Sequence, residues 1–305
     1  MPRPVAVLLL LVCTALWGLA FVFQKTAMEH MQPLIFAGVR YLLGACLVLP
    51  LAIWEYRRKA ATGFTLSRRQ WAQIAILSLA FFLGVWLQQV ALLTTSVTNG
   101  GFITALYVIF TPLVTFVLLR SRPHPIIYVG APLALVGIYL LTGSDVGSFT
   151  PGDLQLLLCA VCWGVQVALL GELVRQTAMP IFISTINFWA TAVLALSGAF
   201  VLETPSLSGI AAGWMPIVYS GVCSTAIAFT LQAIGQRYVP PANAAIVLSS
   251  ESLFAALFGA WLLHERLPPL GYLGAAIIFT AIMTVELVPA WRRRRSAALI
   301  LRQSN

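Results

Sequence analysis

Charge is what this chain has least of. Only 9% of its 305 residues are Asp, Glu, Lys or Arg, whereas 60% are hydrophobic. A soluble domain covers its surface with far more charge, so the composition excludes a water-soluble fold and leaves the membrane class. Acids are scarcer than bases, 9 against 18. The excess is not a nucleic-acid footprint, because the bases sit in short connections between apolar runs, where they set topology. Histidine is confined to His30, His124 and His264, at loops or span edges. No HExxH and no pair of acids at DxxD spacing occurs, which argues against an intramembrane hydrolase or metal-dependent transferase, and the chain is not read as an enzyme. Cysteine gives no disulfide framework. Cys13, Cys46, Cys159, Cys162 and Cys223 all fall in apolar runs. The Cys159–Cys162 spacing, with no His or Asp nearby, is read as small packing residues rather than a metal or redox pair. No metal and no cofactor is expected.

What the chain has in abundance is long apolar runs. Ten are read as spans: 5–26, 33–54, 71–93, 99–119, 126–143, 154–173, 180–202, 210–235, 241–263 and 270–290. Most approach the roughly 20 residues that a helix needs to cross the hydrocarbon. Arg3 ahead of the first run imitates a signal peptide. Its Trp17-Gly18 pair returns inside a mid-chain span, so the run is read as a retained helix. Placing the N-terminus in the cytoplasm puts 15 of the 18 Lys and Arg on the cytoplasmic side, among them Arg57, Arg58, Lys59 and Arg292 to Arg295. Both termini are therefore expected inside.

The spans repeat. Trp17-Gly18 is echoed by Trp163-Gly164, Leu87-Gln88 by Leu231-Gln232, Asn99 by Asn243, and Phe110 by Phe254. Doubling at this scale is the weak internal symmetry of repeat-built transporters. Residues 1–145 are read as the first five-helix repeat, 146–291 as the second, and 292–305 as a basic cytoplasmic tail. An odd number of spans per half turns the second half upside down. The expected fold is all-α: a polytopic membrane protein of ten transmembrane helices in two inverted repeats, with one central site and alternating access.

Polar residues at membrane depth mark that site. Glu251 lies near the middle of the ninth span, where a carboxylate costs about 2.5 kcal/mol or more. It is read as a ligand or proton site, against a structural ion pair or a protonated, hydrogen-bonded acid. Arg40, in the outer third of the second span, grips a carboxylate, snorkels, or pairs with Glu251. Lys25 is read as snorkelling. Trp17, Tyr41, Gln88, Tyr107, Trp163, Gln166, Asn187, Gln232, Ser250 and Glu251 form the expected substrate-binding set, with Arg40 as charge partner. Each polar stripe alone suits interhelical packing. Together they describe a lining for a small amphiphilic solute with an aromatic or cationic part.

Several motifs strengthen this reading. Ala15-Leu16-Trp17-Gly18 with Phe21 and Lys25, Phe36-Ala37-Gly38-Val39-Arg40-Tyr41, Thr111-Pro112-Leu113 and Leu263-His264-Glu265-Arg266-Leu267 occur in order. The pattern resembles the drug/metabolite transporter superfamily, in its ten-helix form of two EamA-like repeats, and within it the YddG-type exporters of aromatic amino acids. Asn187 and Ser252 depart from it where the second repeat would carry the arginine and the proline. The resemblance implies inner-membrane location and efflux of small metabolites around a central cavity, with amino acids, aromatic ones above all, as cargo. The alternatives are cationic aromatic drugs or another metabolite; phosphate esters rank low because few bases reach the site. The expected partners are a small-molecule substrate and the lipid bilayer, not nucleic acid, and a monomer would suffice.

Overall fold

A computed structural model describes residues 1–120, 125–141 and 151–264, with scattered positions from 266 to 288. Every regular element among them is helical. In chain order they are α1 (Arg3–Ala27), α2 (Pro33–Ala60), α3 (Arg68–Ala91), α4 (Val97–Ala105), α5 (Tyr107–Leu119), α6 (Ile127–Leu141), α7 (Pro151–Thr177), α8 (Pro180–Leu202), α9 (Leu207–Ala212), α10 (Trp214–Tyr219), a π segment (Ser220–Phe229), α11 (Thr230–Gln236), α12 (Pro241–Leu248) and α13 (Glu251–Leu262). Hydrocarbon leaves backbone groups no partner but the chain itself, which is why apolar runs of this length become helices. Among the described residues, eight runs are long and apolar enough to span a membrane, with α4–α5, α10–π–α11 and α12–α13 each counting as one; α6 is a shorter apolar helix. The expected tenth span is described only in part. Most of the seam at 143–153 and all of the tail at 292–305 lie outside the described residues.

Two spans break at matching places. The fourth breaks at Leu106 and the ninth at Ser249-Ser250, positions related by a shift of 144 residues. At both, the bonding tightens from i→i−4 to i→i−3, as in Ile109 N to Leu106 O and Leu253 N to Ser250 O, both 3.0 Å. A short 3₁₀ turn inside a long helix often marks a functional joint. In the ninth span the serines stabilise the break: Ser249, Ser250 and Ser252 each donate a hydroxyl to the carbonyl three residues back, at 2.7–2.8 Å.

Packing does not follow the sequence halves. α1 packs on the π segment, α11, α12 and α13, all from the second half. Symmetrically, α7 packs on α3, α4 and α5 from the first. The π segment also carries α2, and α3 carries α8. Two helix sets result, each mixing both halves, and α2 and α8 face each other along the seam between them. The packed units are therefore exchanged sets rather than the two sequence halves.

The Trp-Gly pairs explain the exchange. A Cβ on Gly18 would stand 2.3 Å from Phe254 Cβ and 2.7 Å from its carbonyl carbon. A Cβ on Gly164 would stand 2.6 Å from Phe110 Cβ. Each glycine lets its helix touch the opposite half's broken span, in the small-residue contact typical of membrane helices. Gly18→Ala and Gly164→Ala should each destabilise the protein by about 1–3 kcal/mol through overpacking, visible as a lower unfolding midpoint in detergent. Gly84→Ala, whose Cβ would meet Cys162 and Trp163 at an easier 3.4 Å, should leave that midpoint nearly unchanged.

Candidate functional site

Between the two sets, beside both helix breaks, lies a cavity of about 30 Å³. Small-molecule sites usually measure roughly 300–1,000 Å³. At this size the cavity is too small to hold a metabolite in the structure as it stands.

Six aromatic residues, Trp17, Phe21, Tyr41, Tyr107, Trp163 and Phe229, line it, with Phe81 packed behind them. Trp17 meets Phe229 at 4.5 Å between centroids, and Trp163 stacks on the same ring at 5.7 Å and 17°. Phe81 sits edge-on to Phe229 at 4.8 Å and to Tyr41 at 5.4 Å. Each such pair contributes about 0.5–1.5 kcal/mol beyond its buried area. Trp17 Nε1 donates to the Ser224 carbonyl at 3.3 Å, anchoring α1 to the π segment. Amides cross the cavity: Gln166 and Gln232 exchange hydrogen bonds at 3.1 and 3.2 Å, joining one set to the other. Gln88 donates to Thr104 Oγ1 at 3.3 Å.

Two ionisable side chains face this cavity without forming an ion pair. Arg40 is 2% exposed and Glu251 5%, and no ion pair joins them among the described residues. Arg40 donates from Nη2 to Gln24 Oε1 at 3.2 Å, and its guanidinium lies 4.8 Å from the Tyr41 ring centroid and 5.1 Å from that of Phe36. Arg40 Nε and Trp163 Nε1 are buried with no hydrogen-bond partner, and Tyr107 OH and Glu251 Oε1, which face each other, have no other partner. All four belong to residues lining the cavity. Buried polar atoms are nearly always partnered, and an orphan costs about 1–3 kcal/mol, more for a charged group. Tyr107 and Glu251 are also repeat counterparts, each the first residue after its helix break.

Of the residues expected to bind substrate, Trp17, Tyr41, Gln88, Tyr107, Trp163, Gln166, Gln232 and Glu251 line the cavity, as does Arg40. Asn187 and Ser250 do not. Asn187 accepts the Ser78 hydroxyl at 2.7 Å in the α3–α8 contact. Ser250 donates to Val247 O at 2.8 Å and meets Thr14 Oγ1 at 3.0 Å. Arg40 neither snorkels nor pairs with Glu251, because Gln24 and two rings hold it inside. The Lys25 ammonium, at the end of its span, donates to the Leu92 and Thr95 carbonyls at 2.6 and 2.9 Å, capping the end of α3.

Sequence reasoning missed Gln24, Ser224 and Phe229. Phe229 closes the π segment, whose i→i+5 bonding turns side chains out of the 3.6-residue register. A periodicity reading of the eighth span therefore misplaces it. Gln24 had a signal, an amide one residue before Lys25 in a span otherwise poor in polar groups.

Comparison with known proteins follows the same lines. The profile of the EamA-like transporter family matches residues 4–143 and again 150–287. An uncharacterised transporter of Archaeoglobus fulgidus is 31% identical over 89% of this chain and 82% of its own. An S-adenosylmethionine/S-adenosylhomocysteine transporter of Chlamydia muridarum is 27% identical over 88% of this chain and 87% of its own. The uncharacterised inner membrane transporter YedA of Escherichia coli is 25% identical over 89% and 87%. One crystal structure superposes with a TM-score of 0.74 over 94% of this chain and 98% of that one, at 19% identity, which shows the fold alone.

Proposed function

From the premise that this chain belongs to the EamA-like transporter family, we propose that it exports a zwitterionic small molecule with an aromatic part. An aromatic amino acid is the simplest such cargo. The observation that carries the reading is the separated pair Arg40 and Glu251, the first with an orphaned Nε and the second with only Tyr107 facing its Oε1, on a cavity lined by tryptophan, tyrosine and phenylalanine. A carboxylate fits the planar fork of Arg40. An ammonium fits Glu251, and a ring fits between Trp17, Phe229 and Trp163. Asn187 and Ser250, satisfied elsewhere, are left out of this assignment. The relative named for S-adenosylmethionine and S-adenosylhomocysteine agrees with it, since both molecules are α-amino acids bearing a ring system.

Transport proceeds by alternating access, the two exchanged sets parting first on one side of the cavity and then on the other. Bound cargo must favour parting through contacts that differ between the two states. The Gln166–Gln232 bridge is one such contact: it closes the sets on each other now and would be traded for cargo amides or carboxylate.

Cationic aromatic drugs would use Glu251 and the rings but would meet Arg40 with like charge, so they rank second. Flux into proteoliposomes decides between them. Radiolabelled tryptophan should move at least tenfold faster than through protein-free vesicles, and an aromatic cation without a carboxylate should compete weakly. Absence of flux for every amino acid and for S-adenosylmethionine would overturn the assignment.

A further inference from the structure

α2 and α8 each begin with proline, Pro33 and Pro180, and neither helix caps its own first turn with a side chain. Proline at the first position supplies no N–H, but the amides that follow still need acceptors. Each helix takes its acceptor from the other. Glu203, at the end of α8, accepts from Leu34 N at 2.8 Å through Oε1 and from Ile35 N at 2.9 Å through Oε2. Glu55, near the end of α2, accepts from Phe182 N at 2.7 Å through Oε2. The two carboxylates stand 148 positions apart, within one residue of the 147-residue offset that relates Pro33 to Pro180. They lie at opposite ends of the antiparallel α2–α8 seam, hence at opposite faces of the membrane. Carboxylates on helix N-termini gain from both the hydrogen bonds and the helix dipole.

The two ends are not equally fastened. At the Glu203 end Gln32 Oε1 also accepts from Thr204 N at 2.8 Å, and at that same face Lys25 ties α1 to the end of α3. The position matching Lys25 in the second half is Gly171, which brings no side chain. It lines a 290 Å³ vestibule at the Glu55 face, together with Thr115, Arg175 and Gln236, where the ties are the Gln236 amide donating to Val167 O at 2.9 Å and Tyr56 stacked on Phe182 at 4.8 Å.

We propose that Glu203 and Glu55 are the two gate latches of transport, positioning residues that act through the helix they cap, one for each face. Parting the sets on one side requires releasing that side's carboxylate from the opposing helix, while the other stays fastened as the pivot. The face bearing Glu203, which the basic-residue asymmetry assigns to the outside, is the more tightly shut in this structure. The vestibule at the Glu55 face is the side poised to open. This holds whatever the cargo is.

Hydrogen exchange read by mass spectrometry on the full-length protein in nanodiscs tests it. With Glu203→Gln, peptides around 92–97 should exchange about tenfold faster, the size of one lost charge-assisted bond. Peptides around 115–119 and 171–175, lining the distant vestibule, should become more protected. Glu55→Gln should give the reverse pattern. Gln32→Ala, a milder loss at the Glu203 end, should shift both faces in the same sense as Glu203→Gln, by less. Initial transport rates should show the same asymmetry: outward release is hastened by Glu203→Gln and slowed by Glu55→Gln. Faster exchange confined to the mutated helix's own first turn, or changes of the same sign at both faces in both variants, would reduce the carboxylates to ordinary caps and overturn the proposal.

Discussion

Glu251→Gln should make the protein at least as stable and nearly inactive as a transporter. The carboxylate is 5% exposed, and its Oε1 has no partner besides the facing Tyr107 OH. Carrying that charge at membrane depth costs about 2.5–3.5 kcal/mol on insertion scales. Glutamine keeps the shape and removes the charge, so the unfolding midpoint should hold or rise. Transport should fall because the ammonium loses a charge-assisted bond of about 1.5–3 kcal/mol, or roughly 10- to 150-fold in affinity. A structural acid would behave in the opposite way: stability would drop and transport would suffer only as far as folding did. Thermal unfolding and tryptophan flux on the same preparation separate the two cases.

The second large effect is expected at Arg40, and it depends on the cargo. Arg40→Ala removes the planar fork but leaves the aromatic wall, so the apparent KM for an amino acid should rise about 10- to 100-fold, the worth of a charge-assisted bond. Arg40→Lys should recover little, since an ammonium lacks the bidentate geometry and the flat face that lies near Tyr41 and Phe36. A decarboxylated analogue should be handled by Arg40→Ala as well as by the parent protein, or better, because a like charge has gone. Equal losses for both cargoes would mean that Arg40 only supports the packing around Gln24.

Much of this was legible in the sequence, and the failures have physical causes. The spans and the charges at depth can be read because hydrocarbon penalises polarity so heavily that each exception stands out. Trp17 and Trp163 could be found because the repeat marks them twice. Asn187 and Ser250 were equally polar, but one is consumed by Ser78 and the other by its own helix, and no pattern along a single chain reveals a partner elsewhere. Phe229 was hidden by the π segment. The exchanged helix sets were hidden too: Gly18 and Gly164 could be seen, but not that Phe254 and Phe110 lay opposite them. Nothing along the chain ties Glu203 to the start of α2 or Glu55 to the start of α8, because only packing brings them together.

The central claim is that one cavity reads both charges of its guest and its ring. Binding of tryptophan, tryptamine and indole-3-propionate to the purified protein, to Arg40→Ala and to Glu251→Gln tests it most directly. The parent protein should bind tryptophan at least tenfold more tightly than either analogue. Tryptamine should be indifferent to loss of the Arg40 fork, and indole-3-propionate to loss of the Glu251 charge. If all three ligands bound the parent protein alike, or if tryptamine bound better than tryptophan, Arg40 would not be reading a carboxylate and the account would be wrong.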